Sequence, residues 1–224
     1  MKIDYAVMSS DDSHFVDYWP VVSEAWKRIG ISPRLFFVGS RAGYDTVCLP
    51  VVPGVKTSLQ GKLARLWAFK VLVGNCIISD IDMMPLSREY FVGTAEAFGK
   101  EQIVSYCADA AGLFDKYHPM CYVLANTGIM SRLIAQSTWE EFVLEVARRG
   151  GQESGNADQW WLTRLLDSYG RVVKLKRGWN SAGCALNRLD RESWGYKPED
   201  VTSGALYDAH LPRPYAKYMP EIEE

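Results

Sequence analysis

Apolar positions along the chain follow two periods. Short runs rich in β-branched and aromatic residues read as strands: "KIDYAVMSS", "PRLFFVGS", "NCIISD", "IVSYCAD", "CYVLANTGIM" and the late "RVVKLKRGWN". Helical stretches lie between them. "DDSHFVDYWPVVSEAWKRIG" has a helical period that Pro20 interrupts and Gly30 ends. "SLQGKLARLWAFKVLV" puts Leu59, Leu63, Leu66 and Trp67 on one face and Lys62 and Arg65 on another. "STWEEFVLEVARRGG" opens on capping boxes, Ser137 with Glu140 and Thr138 with Glu141, and stops at glycine. "NADQWWLTRLLDSYG" is a further helix, in which Asn156 and Gln159 satisfy a capping box. Strands alternating with helices predict an α/β fold with a mostly parallel central sheet flanked by helices. Ligands of such sheets gather at the carboxyl ends of the strands.

Composition narrows the class. The 224 residues are 48% hydrophobic, enough for a large core, and show no internal repeat. One domain over 1–218 is expected, with 219–224 an acidic tail or the start of a linker to further domains. The net charge of −2, with Lys and Arg spread along the chain, argues against a nucleic-acid partner or a polybasic membrane patch. Cys48, Cys76, Cys107, Cys121 and Cys184 lack CxxC spacing and read as buried free thiols of a reducing compartment. The amino-terminal residues turn polar too soon for a signal peptide, and no apolar run approaches ~20 residues, so a cytoplasmic location without a membrane span is expected. His14 and His118 have no chemical context and are expected at the surface.

The chemistry centres on "NCIISDIDMMPL". In an extended segment Asp80 and Asp82 face the same point beyond a buried strand. Carboxylates that close repel unless a cation sits near them, and a divalent ion shared with phosphate oxygens is the expected use. The haloacid-dehalogenase type of phosphotransferase also has D-x-D after a strand, but Met83–Met84 does not supply the small turn it needs.

The order of "SSDD", "KLARLWAFKVL", "CIISDIDMMPL", "ANTGIM", "NADQWWL" and "AHLPRPY" resembles the GT-A class of nucleotide-sugar glycosyltransferases. The nearest likeness is to the retaining glycogenin and lipopolysaccharide galactosyltransferase type, and more narrowly to chlorella-virus capsid-glycosylation transferases. The resemblance runs from about Ala6 to Tyr215 and implies a GT-A, Rossmann-like fold, a UDP-sugar donor and a glycan or glycoprotein acceptor. It implies Mn2+ (or Mg2+) held by Asp80, Asp82 and His210, with nitrogen ligation favouring manganese. Ala6, Met8, Ser9 and Asp11 match the positions that hold the nucleoside; a helix cap at Asp11, Asp12 or Ser13 is the plain alternative. Arg65 matches an arginine that reaches the donor, with Lys62 one turn earlier. Asn126, Thr127 and Gly128 match a step that presents backbone and amide to the sugar, or form a simple turn. Asp158 and Gln159 match residues on the sugar's hydroxyls and reactive face, although Asp158 also suits a helix start. Trp160 and Trp161 read as core or as an acceptor platform. Arg213, in a basic–Pro–aromatic step with Pro214 and Tyr215, matches a diphosphate contact, with arginine where the class has lysine. A sugar-phosphate nucleotidyltransferase is the rival enzyme reading, but "MSSDDSHF" lacks the glycines and basic residues that a triphosphate loop needs. A non-catalytic nucleotide-sugar or glycan-binding module is the third reading.

Overall fold

The computed structural model describes residues 1–223 except 12, 41–43, 110–116, 151–154, 179–184, 192–193 and 196. A seven-stranded sheet runs through the molecule in the order β3-β2-β1-β4-β7-β6-β8. Its strands are β1 (Tyr5–Ser10), β2 (Ser32–Val38), β3 (Thr46–Leu49), β4 (Asn75–Ile78), β6 (Ile103–Ser105), β7 (Val123–Asn126) and β8 (Val172–Lys174). Only β7 runs against its neighbours; the β1–β2, β1–β4, β2–β3 and β6–β8 pairs are parallel.

Alternate residues of each strand enter two separate cores, as the period of a pleated strand requires. Val7, Phe36, Ile78 and Val123 pack with Leu63, Phe142 and Leu162 on one face. Those partners come from α3 (Thr57–Val71), α6 (Trp139–Gly150) and α7 (Ala157–Tyr169). Ala6, Met8, Leu35, Ile77 and Leu124 pack with Val22, Trp26, Phe91 and Tyr106 on the other face. There the cover is α2 (Trp19–Arg28) and a short π-helical turn over Glu89–Gly93.

The broken helix at the amino end is two helices: α1 (Ser13–Val16) precedes α2, and Pro20 sits in the first turn of α2, where its missing N–H costs nothing. Of the capping boxes expected on α6, Thr138 with Glu141 is formed: Glu141 N donates to Thr138 Oγ1 at 3.2 Å and Thr138 N to a Glu141 carboxylate oxygen at 3.2 Å. The box expected at α7 is not, because the Asn156 side chain makes no cap bond.

Several elements depart from the expectations. A second, three-stranded sheet places β10 (Asp208–His210) between β5 (Met83–Pro85) and β9 (Arg188–Leu189), so His210 is a strand residue, not a loop residue. At the carboxyl end α9 (Tyr215–Glu223) buries Ile222 despite Pro220. His118 is buried, not at the surface. Among the cysteines Cys76 and Cys107 are buried, whereas Cys48 is exposed and Cys121 half-buried; Cys184 lies outside the described residues. Among those residues no helix is long and apolar enough to cross a membrane.

Candidate active site

The site forms where β1 and β4 end side by side. Their register pairs Val7 with Ile78, and Ser79 N donates to Val7 O at 2.9 Å. Ser9–Asp11 and Asp80–Asp82 therefore leave the sheet next to each other. A cavity of about 810 Å³ opens there, also lined by Phe15, Ser58, Gly61, Lys62, Arg65, Cys121, Asp158, Gln159, Arg188, Asp190, Arg191, His210 and Arg213.

Asp80 and Asp82 are not the like-facing pair of an extended strand. Met83 N donates to Asp80 O at 3.2 Å, so the segment turns and the carboxylates part. Asp80 meets the Arg65 guanidinium. Burial alone would raise the Asp80 pKa, but Arg65 prevails and holds it at about 2. Asp82 is buried, and its Oδ2 accepts from Arg213 Nε at 2.9 Å and Arg191 Nη2 at 3.0 Å. His210 reaches Asp82 because β10 pairs with β5 in a register that sets His210 opposite Met83. Its Nε2 lies 3.7 Å from Asp82 Oδ2. Burial, with help from Arg191 and Arg188 and against Asp82, lowers the His210 pKa, favouring the neutral imidazole that a metal requires.

Arg65 is no solvated helix residue. It is 5% exposed, and its Nη2 lies 3.5 Å from Asp158 Oδ2, so it bridges the D-x-D turn to the start of α7. Asp80 and Asp158 raise its pKa against the opposing effect of burial. Asp158 is 2% exposed, faces the cavity, and keeps Oδ1 without a hydrogen-bond partner. A buried carboxylate oxygen left so is costly unless a ligand donor meets it. Gln159 lines the cavity beside it. Lys62 also lines the cavity but donates to Gly155 O at 2.7 Å, tying α3 to the approach of α7.

Two groups of expected residues lie elsewhere. Ala6 and Met8 are fully buried in the core, and only Ser9 and Asp11 of that run reach the cavity. Asn126, Thr127 and Gly128 lie at the opposite end of the strands from the cavity, because antiparallel pairing sets Asn126 against Asn75 at the start of β4. There Asn126 caps α5 (Thr127–Leu133) by accepting from Gly128 N at 3.0 Å. Thr127 Oγ1 accepts from Gly74 N at 3.1 Å. Neither Trp160 nor Trp161 lines the cavity: Trp161 is core, and Trp160 lies under the Arg164 guanidinium at 5.0 Å.

Sequence reasoning missed Gly61, Arg188, Asp190 and Arg191. The dense charge of "NRLDRES" beside a two-residue strand was the available signal for the last three. Arg188 is anchored from behind by Asp208 Oδ2 at 2.8 Å, which also accepts from Arg177 through Oδ1 at 2.9 Å.

The donor set was tested against a divalent cation. Among the described residues no three His, Cys, Asp or Glu side chains form a ready-made metal group. Asp80, Asp82 and His210 nonetheless share one wall of the cavity, and a hard carboxylate pair with one imidazole suits such an ion. Among the described residues five cationic side chains (Lys62, Arg65, Arg188, Arg191, Arg213) face five carboxylates (Asp11, Asp80, Asp82, Asp158, Asp190) across the lining. A diphosphate added to that balance leaves an excess of negative charge that a divalent cation would cancel.

No protein-family model and no curated protein matches the sequence. Solved structures do match the fold. A glycosyltransferase involved in glycosylation of the major capsid of PBCV-1 superposes at a TM-score of 0.56 and 10% identity, over 99% of this chain and 100% of that one. The galactosyltransferase LgtC, solved with donor and acceptor sugar analogues, gives 0.52 and 13% identity over 97% of this chain and 94% of that one. The glycosyltransferase GlyE of Streptococcus pneumoniae TIGR4 gives 0.52 and 9% identity over 78% of this chain, which spans only 45% of GlyE. The chain has the GT-A glycosyltransferase fold: a mostly parallel seven-stranded sheet flanked by helices, with its cavity at the strand ends.

Proposed function

We propose that the protein is a glycosyltransferase that transfers a sugar from a UDP-sugar to a glycan or glycoprotein acceptor, with Mn2+ or Mg2+ and with retention of configuration. One observation carries the reading: Asp158, which keeps a buried carboxylate oxygen without a hydrogen-bond partner, lines the same cavity as the Asp82–His210 pair. Sugar hydroxyls are the donors such an oxygen lacks, and a diphosphate is an anion that Arg191 and Arg213, both seated on Asp82, suit.

In this reading Ser9, Asp11 and Gly61 hold the nucleoside. Asp80, Asp82 and His210 would hold the cation, which when bound offsets charge on the departing diphosphate. Arg213 donates to the diphosphate as a planar fork. Arg65 holds Asp80 and Asp158 in place, and Asp158 and Gln159 orient the sugar. An inverting course would need a carboxylate base beside the acceptor hydroxyl. NMR of the product anomer decides between the two courses.

The reading is tested by UDP-sugar hydrolysis and UDP binding with Mn2+ and with chelator, on the wild type and Asp82→Asn. Hydrolysis and UDP binding that need the cation, and fall at least tenfold in the variant, are expected. UDP binding indifferent to both cation and Asp82 contradicts it.

A further inference from the structure

Arg191 enters the cavity just after β9 and touches two of the proposed cation ligands. Its Nη2 donates to Asp82 Oδ2 at 3.0 Å, and its Nε donates to His210 Nδ1 at 3.2 Å. Arg213 Nε reaches the same Asp82 oxygen at 2.9 Å. One carboxylate oxygen thus serves two guanidiniums. Like charges crowded on one anion repel, and each gains when a second anion arrives.

The other cavity cations are engaged elsewhere. Arg65 has Asp80 and Asp158, Arg188 has Asp208, and Lys62 has the Gly155 carbonyl. Arg191 and Arg213 are the pair that share an anion.

The bond to His210 adds a second consequence. A neutral imidazole whose Nδ1 accepts a hydrogen bond carries its proton on Nε2. Nε2 is the nitrogen 3.7 Å from Asp82 Oδ2. Carrying a proton, it has no lone pair to offer a cation beside Asp82. Asp190 Oδ2 lies 3.7 Å from His210 Nδ1. With Arg191 withdrawn, the ring proton can exchange through water from Nε2 to Nδ1, where Nδ1–H donates to this carboxylate; the Nε2 lone pair is then free and the ring is fixed, as by a carboxylate behind a ligating histidine.

We infer that Arg191 is a second diphosphate-binding residue, parked on Asp82 and His210 in the unliganded protein and transferred to phosphate oxygens when nucleotide binds. The inference rests on the nucleotide-sugar reading and adds a side chain whose departure readies the cation ligands. Asp190 is the positioning residue that takes over His210 Nδ1.

Three probes test it by calorimetry and manganese paramagnetic resonance: UDP with Mn2+, uridine alone, and Mn2+ alone, on the wild type, Arg191→Met and Arg191→Lys. Arg191→Met is expected to weaken UDP by about tenfold or more, as loss of a charge-assisted bond implies. Uridine affinity should stay unchanged, and Mn2+ alone should bind more tightly. Arg191→Lys, which keeps the charge without the fork, should fall between and serves as the test if the methionine variant melts early. Unchanged UDP affinity, or equal losses for UDP and uridine, overturns the diphosphate role. Unchanged Mn2+ affinity overturns the parking. A wild type that binds no UDP overturns the nucleotide reading and the inference with it; wild-type binding equalled by both variants overturns the inference alone.

Discussion

Asp80 and Asp82 show how much a side chain's role depends on what meets it. Both are aspartates one residue apart, yet Asp80 answers to a helix in front of it and Asp82 to segments over a hundred residues later. Sequence spacing predicted that they belong together at a strand end. It did not predict the turn that separates them, because the turn is fixed by β5 pairing with distant β10. Arg65 was legible as a cavity residue, but its near-complete burial was not, since its bracket of Asp80 and Asp158 is tertiary. Asp158 gives the sharpest test at this scale. Asparagine keeps the shape and removes the charge. If Asp158 binds sugar hydroxyls, Asp158→Asn loses a charge-assisted bond of ~1.5–3 kcal/mol, or roughly ten- to hundredfold in transfer. UDP, which lacks the sugar, should bind the variant within about twofold of the wild type. Equal losses in rate and UDP affinity would return Asp158 to helix capping.

Among the elements, α3 links most parts of the site. It gives the cavity Ser58, Gly61, Lys62 and Arg65 while its other faces are buried. Gly61 is the point of closest approach to the end of β1. A Cβ there would lie 2.7 Å from Asp11 Oδ1 and 2.9 Å from Asp11 N, and Ser9 Oγ already donates to Gly61 O at 2.6 Å. Gly61→Ala raises helix propensity by roughly 1 kcal/mol but forces the Ser9–Asp11 turn away. UDP affinity should drop several-fold with little change in melting temperature; unchanged UDP affinity would remove Gly61 from the nucleoside wall. The sequence showed α3 as a helix, but a glycine inside it read only as a small residue, because its neighbour lies fifty positions upstream.

The packing of α7 carries a pH prediction. The His118 backbone N–H donates to Thr163 Oγ1 at 2.7 Å, which ties this segment to α7. Burial, aided by Lys174 and opposed by Asp167, lowers the His118 pKa below 6.5. The unfolded chain then holds this proton more tightly than the folded one. The contribution to stability is complete above about pH 6.5 and is lost as pH falls through the lower folded value. His118→Gln should flatten that part of the melting-temperature profile, and a profile as steep as that of the wild type would assign the slope to other groups.

At the scale of the molecule, alternating strands and helices foretold the large sheet and its mostly parallel sense. The small sheet was hidden. Its strands are two or three residues long, too short for a period, and they pair only because β9 and β10 return to the D-x-D turn. That return brings His210, Arg191 and Arg213 to Asp82 and Asp190 to His210, and so builds the cavity around the strand-end turn. The position of Asn126–Gly128 was hidden for a related reason: β7 runs antiparallel, so its carboxyl end points away from the cavity.

The central claim is that nucleotide and cation meet at the carboxyl ends of β1 and β4. A crystal soaked with UDP and Mn2+, with anomalous data collected for manganese, tests it in one measurement. The account predicts an anomalous peak within ligand distance of Asp82 and His210 Nε2, phosphate oxygens against Arg213 and Arg191, and uracil against Ser9–Asp11 and Gly61. A peak elsewhere, or nucleotide bound at the opposite end of the strands beside Asn126, would contradict it.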